Sequence, residues 1–580
     1  MSVRLGKGAL ATATTIAALA ALALPSLAAA APDPRANSLG IQVVRFAPGT
    51  SPAAMKAAVA NAGAEIVTDL SAIHALAVVP KDSGKFAVNI RKQPGVRAAW
   101  LDRVTAVPRA AGLQPDPLHD ATSFWGETNP EGILQWDDHR NGVADAWATT
   151  TGSPDVTVAV LDTGIQPDHK ELRDNVVEVA NTIPCNRLNA IFGTGGLGRL
   201  HDCSPHDTDG HGTWVASRIA GAVNGLGSNG IAPNVKVAGY KVLATGFGGL
   251  TSWIVDGMLR ACDADADVIN MSLGGYDDPN DPQFPKENVD DYMLWVAGVN
   301  YCRSRGTAIV ASAGNEHVRV ERKNVTLTGS DGKHTITGAG VVTTSNEGIN
   351  AFPGDASLVR YQNDYRGMLE TPAGVPGVIM VSATSNTIPN PGGNVVSAFA
   401  PPASAIGTKD NLAYYSSYGS RVDIAAPGGA RKYGVPKFDA RPGTDILYGG
   451  WGELGAIDKS ADICATIGGP ADFACFEQEG AGFAWLQGTS MSSPEVAGVS
   501  ALVLSAKPAL RESPDALATR LTSTARTSVT NHTGISSASK GAAWDGTPCG
   551  TGFCHVDWSN PVSNADAYGA GIVNAAAAVK

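Results

Sequence analysis

The chain has 580 residues, several times the length of a typical domain, with 67 glycines and only 6% aromatic residues. It can bury a large core and reads as a loop-rich α/β protein. Its 54 acidic and 43 basic residues leave a formal net charge of −11, and no lysine/arginine cluster reverses that locally, which argues against nucleic acid or an anionic membrane as partner.

The first 31 residues carry Arg4 and Lys7, an apolar stretch from about Ala9 to Leu24, and small residues offering A-x-A sites around Ala28 to Ala31. This is the pattern of a secretory signal peptide. Thr12, Thr14, Thr15 and Pro25 dilute or break the apolar run, which disfavours a membrane anchor, and no later segment is apolar for long enough to span a bilayer. The expectation is an exported, monomeric protein without a membrane partner. Residues 38–108 form a unit of their own: LGIQVVRF, AEIVTDL, HALAVVP and VRAAWLDRVTAV are strand-like, and SPAAMKAAVANAG and KFAVNIRKQPG are helical. Their order is the ferredoxin-like βαββαβ arrangement, which by itself says nothing about function. Residues 109–135, rich in Pro, Gly, Asn and Asp, read as an exposed linker and processing region.

Residues 136–580 make the main domain. VTVAVLD, VKVAGYKVL, DVINMSLG, GTAIVASAGN, GVIMVSAT and VDIAAPG are short apolar strands, with helical patterns such as TSWIVDGMLRACDA and VDDYMLWVAGVNYCRSRG between them. Strands this uniformly apolar are buried on both faces, so the fold class is α/β, a parallel sheet flanked by helices. Sites in such sheets gather at the carboxyl ends of the strands. Eight cysteines fit an oxidising compartment. Cys185 with Cys203, Cys464 with Cys475, and Cys549 with Cys554 are close in sequence, leaving Cys262 and Cys302, each late in a helix whose neighbour could lie on the same sheet face. His201, Cys203, His206 and His211 raise a zinc alternative, but neither CxxC nor HExxH is present.

Three stretches carry the chemistry. VAVLDTGIQPDH puts Asp162 at the carboxyl end of a buried strand, DGHGTWVASRIAG puts His211 at a helix start, and GTSMSSPEVAG puts Ser490 at another, with Pro494 expected in that helix's first turn. Singly, a strand-end Asp is a turn residue, a lone His is structural and a Ser before an apolar run is an N-cap. Together they meet a requirement: a serine hydroxyl needs an imidazole to take its proton, and the imidazole needs a carboxylate to hold its tautomer.

With ASAGNE, which adds Asn315, these motifs resemble the subtilisin family of serine proteases, over roughly residues 140–580. The resemblance implies a serine endopeptidase using Asp162, His211 and Ser490, with Asn315 as a side-chain oxyanion donor. It places Ser272, Leu273, Gly274 and Gly275, and Ser312, Ala313 and Gly314, along the substrate pocket. It also makes 38–108 an inhibitory propeptide that is removed by self-cleavage. Protein or peptide substrates and the chain's own propeptide are the implied partners. No metal ligand or catalytic cofactor is implied; structural Ca²⁺ is common in the family, yet DADAD and DDPNDP spell no calcium loop.

Three stretches exceed a compact member: 185–203, 317–370 and 430–487. In the second, VRVERKNVTLTGSDGKHTITG reads as a hairpin turning at SDGK, either a surface decoration or a wall narrowing the cleft. With YYSSYG and IAAPGG, the layout resembles the leader-processing branch of the family, a narrower alternative. A secreted pseudoprotease would have lost one of the four residues, and an esterase would carry G-x-S-x-G where Met491 and Ser492 follow Ser490.

Overall fold

The computed structural model describes residues 38–106, 111–112, 135–193, 203–344, 365–385, 410–413, 415–429, 452–466, 475–528, 536–538, 556–557 and 562–580. The signal-peptide stretch, His201, most of the linker and the Cys549–Cys554 pair lie outside the described residues.

In the first unit β1 (Gln42–Phe46), α1 (Pro52–Ala62), β2 (Ala64–Leu70), β3 (Ala75–Pro80), α2 (Ser83–Ile90) and β4 (Val96–Leu101) follow one another. The four strands pair antiparallel in the order β2–β3–β1–β4. Local sequence sets the helix ends. The Ser51 hydroxyl accepts from the Ala54 N–H, Pro52 starts α1, and Gly63 ends it at a φ of +88°. Two short strands, β5 (Val104–Thr105) and β6 (Ala111–Gly112), and two short helices, α3 (Trp136–Asn141) and α4 (Val143–Trp147), lead onward. β6 and the fully buried Gln135 fall inside the stretch expected to be an exposed linker. Strand pairing holds the first, and hydrogen bonds to Asp138 and the Asn229 carbonyl hold the second.

The main body is built on one sheet. Its strands are β7 (Thr157–Asp162), β8 (Val176–Asn181), β9 (Lys236–Lys241), β11 (Val268–Met271), β13 (Ala308–Ser312), β17 (Ile379–Ser385), β18 (Asn411–Leu412) and β19 (Ile424–Pro427), in the spatial order β8–β9–β7–β11–β13–β17, with β18 and β19 both on β17. Seven are parallel; β18 alone pairs antiparallel. Around this sheet, β10 (Gly249–Leu250) joins β5. β12 (Gly275–Asp277), β16 (Leu369–Thr371), β15 (Gly332–Val342) and β14 (Val320–Gly329) form an antiparallel sheet in that order. β20 (Glu453–Ala456), β22 (Ala481–Gln487) and β21 (Cys475–Gln478) form another, to which β6 adds.

The two-residue period of β7 sorts its side chains between two layers. Ala159 and Leu161 join the core under α7 (Thr251–Asp263) and α8 (Pro285–Ser304), while Val158 and Val160 join the core under α6 (His211–Ala220) and α10 (Thr489–Ala506). The first unit sits on the α7/α8 side. Trp100 packs into that core and its indole N–H donates to Asp291 at 3.2 Å. Among the described residues no helix is long and apolar enough to cross a membrane.

Disulfides join Cys185 to Cys203, Cys262 to Cys302 and Cys464 to Cys475. Cys203 is therefore not a free zinc ligand. The expected hairpin is β14 and β15, but Gly329 pairs with Gly332, so Ser330 and Asp331 make the turn, one residue before the expected SDGK. Its tip is tied down: the Ser330 N–H donates to Asp290 on α8 at 3.0 Å, and Arg45 of β1 meets Asp331 at 2.6 Å.

Candidate active site

Asp162 closes β7, and His211 opens α6. Burial is complete for both, and His211 Nδ1 lies 2.8 Å from Asp162 Oδ1. Burial pushes the imidazole towards neutrality, but the Asp162 charge and hydrogen bond, with Asp209 and Asp207 behind them, outweigh it and hold the His211 pKa above its ordinary value. Nε2 faces the other way and has no partner among the described residues.

A residue given no role from sequence positions this pair. Asp207, fully enclosed, accepts from the Thr163 hydroxyl at 2.8 Å and the Gly210 N–H at 2.8 Å through one oxygen, and from the Thr213 N–H and hydroxyl at 2.8 and 2.6 Å through the other. The Thr163 hydroxyl in turn accepts from the Gly212 N–H at 3.0 Å. One carboxylate thus pins the turn after Asp162 to the first turn of the helix bearing His211. Its place four residues before His211, in the run DTDGH, is its only sequence signal. Room is tight as well: a Cβ on Gly212 would lie 2.1 Å from the Gly164 carbonyl oxygen.

Ser490 is the second residue of α10, after Gly488, whose φ of +151° is open mainly to glycine. Pro494 is not in the first turn as expected; it lies inside the helix. Its missing N–H leaves the Ser490 carbonyl without its i+4 donor, and the Ser272 hydroxyl fills that place at 2.8 Å. The Ser490 hydroxyl donates back to the Ser272 carbonyl at 3.3 Å. Ser272 also exchanges a 2.8 Å bond with the Ser493 hydroxyl, so its side chain is spent on α10. Asn315 follows β13. Its Oδ1 accepts from the Thr489 N–H and hydroxyl, each at 2.9 Å. The opposite end of the amide faces Gly488, where a Cβ would lie 3.6 Å from Asn315 Nδ2.

Of the expected pocket residues, Leu273 and Ala313 turn their side chains into the α7/α8 core, and Ser312 is buried. Gly274, Gly275 and Gly314 are half-buried. β11 and β13 are neighbours in register, Met271 beside Ala311, so the two pocket segments leave the sheet edge side by side.

Behind the site a buried arginine joins three helices. Arg218 Nη2 contacts Asp137 and Asp138 of α3, the latter at 2.9 Å, and Glu495 of α10 at 2.7 Å. Those three carboxylates are the one grouping with metal-like spacing among the described residues, and the guanidinium already occupies it. Glu453, also fully buried, has no partner for either oxygen among the described residues. Burial pushes all four carboxyls up, Glu495 to about 8.

A doubly covered parallel sheet, with a serine on the first turn of α10 and a bonded Asp–His pair at the end of β7 and the start of α6, whose side chains share one core with α10, is a layout suited to a serine peptidase. The subtilase family, peptidase S8, matches residues 153–543, and the chain belongs to that family of serine proteases. A thermophilic serine proteinase of Bacillus sp. (strain AK1) is 24% identical over 438 residues, 75% of this chain and 73% of its own. The epidermin leader peptide-processing serine protease EpiP of Staphylococcus epidermidis is 30% identical over 202 residues, 32% of this chain and 40% of its own. The crystal structure of EpiP from Staphylococcus aureus shares the fold, with a TM-score of 0.56 at 19% identity, over 93% of this chain and 97% of that one.

Proposed function

We propose that the chain is a secreted serine endopeptidase made as a precursor, with Ser490 as nucleophile, His211 as its base and acid, Asp162 as the orienting carboxylate and Asn315 as oxyanion donor. The observation that carries this is the enclosed Asp162–His211 bond at 2.8 Å. With Nδ1–H donated to Asp162, Nε2 is left as the acceptor. It takes the Ser490 proton as Oγ attacks a peptide carbonyl carbon. The oxyanion is met by the Asn315 amide and by the Ser490 N–H, which has no partner within its helix at that position. His211 then protonates the leaving amine, and water releases the acyl group by the same steps reversed in role. In the resting geometry Ser490 spends its hydroxyl on Ser272; rotation about χ1 exchanges that bond for one to His211.

The first unit acts as an intramolecular inhibitor in this proposal. Support comes from its seat on α7 and α8 and from the pairing of β5 with β10 and of β6 with β22, the strand that leads into Ser490. The leader at 1–31 supports export. A narrower processing role is favoured by the likeness to EpiP, a leader-processing protease, and by the anchored β14–β15 hairpin. Ser490→Ala, made in a host without other proteases, accumulates as precursor, and a fluorophosphonate labels the wild type but not the variant. Maturation of the variant at the normal rate refutes self-processing.

A further inference from the structure

Helix α5 (Cys185–Phe192) opens the first of the three long stretches and takes no part in the chemistry above. Its apolar residues Cys185, Leu188, Ile191 and Phe192 recur at helical spacing and so share one face. That face belongs to a cluster that also holds Leu250 and Trp253 of the main body and Ile41, Val67, Ala77 and Val79 of the first unit. From the exposed side of the helix, Arg187 donates to the Ile66 carbonyl. β2 is an edge strand, and its pairing with β3 slips between Ile66 and Thr68, the point that Arg187 reaches.

The first unit is therefore held by two walls. Side chains of β1 and β3 alternate between the faces of its sheet. Val44, Phe46, Leu76 and Val78 pack under the unit's own α1 and α2. On the other face Val43 and Ala75 join the α7/α8 core, whereas Ile41, Ala77 and Val79 meet α5 and Trp253 at the start of α7. The root of α5 is fastened to the main body without help from the unit. A disulfide links its first residue, Cys185, to Cys203, and the Asn181 amide at the end of β8 accepts from the Ile183 N–H and donates to the Cys203 carbonyl, each at 2.9 Å. A helix of eight residues is marginal alone, so these ties keep its apolar face presented.

Resting on the reading of the first unit as an intramolecular inhibitor, we propose that α5 is a strap for that unit, which keeps it seated after the connection to the main body has been cut. The time for which the cut enzyme stays silent is then set by Leu188, Arg187 and the Cys185–Cys203 bond, none of which has a role in bond cleavage. Apolar burial against Ile41, Val67, Ala77 and Val79 supplies the hold. The charged donor on the Ile66 carbonyl fixes the register, so the face suits this βαββαβ unit and not an arbitrary apolar segment.

The first arm of the test uses the full-length Ser490→Ala precursor and added trypsin, with loss of the first unit followed by intact mass. Such proteolysis tracks the population in which the unit is lifted from its seat. Leu188→Ala empties a fully buried site in the cluster and is expected to speed the loss about 10- to 100-fold. Arg187→Gln, at an exposed position where no packing is disturbed, speeds it about threefold. Cys185→Ser with Cys203→Ser acts in the same direction. The second arm restores Ser490. The interval between cutting of the chain, seen by intact mass, and the appearance of peptidase activity shortens in the same order, while kcat/KM of the released enzyme stays that of the wild type. Trypsin loss unchanged in both Leu188→Ala and Arg187→Gln, or an unchanged interval, overturns the strap. Fluorophosphonate labelling separates the two levels. A labelled enzyme with an unchanged interval refutes only the strap, whereas a Ser490 chain that neither labels nor cuts itself refutes the serine-peptidase proposal, and the trypsin arm still reads the seat of the unit.

Discussion

Arg218→Met, made in the Ser490→Ala background so that self-digestion is absent, tests whether the buried arginine holds the site together. Arg218 lies two helical turns beyond His211, and Glu495 lies five residues beyond Ser490, so their 2.7 Å contact ties together the helices carrying both residues. Asp137 and Asp138 bring α3 into the same knot. Removing one partner from a buried ion cluster costs about 3–5 kcal/mol, because the carboxylates remain enclosed. The upper part of that range is out of reach, since the orphaned acids relieve themselves by taking up protons; about 3 kcal/mol is the expected loss near pH 8. Large, disulfide-bonded proteins often unfold irreversibly, so the readout is the unfolding rate in guanidinium followed by tryptophan fluorescence. A loss of 3 kcal/mol corresponds to about 150-fold faster unfolding. The sign with pH is fixed: carboxyls whose pKa values are already raised are protonated as pH falls, so the ratio of variant to wild-type rates shrinks towards pH 5. A ratio below about fivefold at pH 8, or one that does not change with pH, refutes the reasoning.

Further outcomes can be measured directly. On the proposed mechanism His211 must be neutral to take the serine proton, and its pKa is raised, so the acid limb of kcat/KM is expected above the ordinary imidazole value near 6.5; Asp162→Asn removes that support and lowers turnover by about 10⁴. Replacing residues 322–340 by a short glycine-containing loop raises activity on folded proteins more than on a small chromogenic peptide, measured on titrated enzyme, and equal changes for both mark the hairpin as decoration. Non-reducing peptide mapping recovers Cys185 linked to Cys203, and Cys185→Ser with Cys203→Ser costs about 3 kcal/mol in unfolding experiments, as expected for a closed loop of that length.

What could be read from sequence was what is written locally. Asp162, His211, Asn315 and Ser490 each sit where a strand or helix begins or ends, and the residues around them show that boundary. The hairpin was visible through its alternation and Gly332. Cys262 and Cys302 were legible as a pair because each lies late in its helix, and those helices do pack side by side. The remainder depends on registers between distant segments. Nothing near Glu370 says that it will stand opposite Tyr276, because β12 and β16 are far apart in sequence. Arg218 looks like a solvent-facing charge in an amphipathic pattern until α3 and α10 close over it. Pro494 was misplaced for a related reason. A proline inside a helix is costly unless the carbonyl it strands finds another donor, and that donor, Ser272, comes from the segment just after β11, far away in sequence.

That exchange between Ser272 and Ser490 has a consequence for when the enzyme becomes dangerous. In an isolated helix spanning 489–506 the carbonyl of Ser490 would be unclaimed, and its hydroxyl would lack the opposing backbone that now holds it. Both fastenings come from Ser272, at the end of β11, which lies in the middle of the sheet between β7 and β13. In a nascent or partly opened chain that carbonyl is therefore unclaimed, and the turn of α10 that presents Ser490 is settled only when the innermost strands close. The stranded carbonyl beside Pro494 makes the potency of Ser490 conditional on the completeness of the body that must survive it.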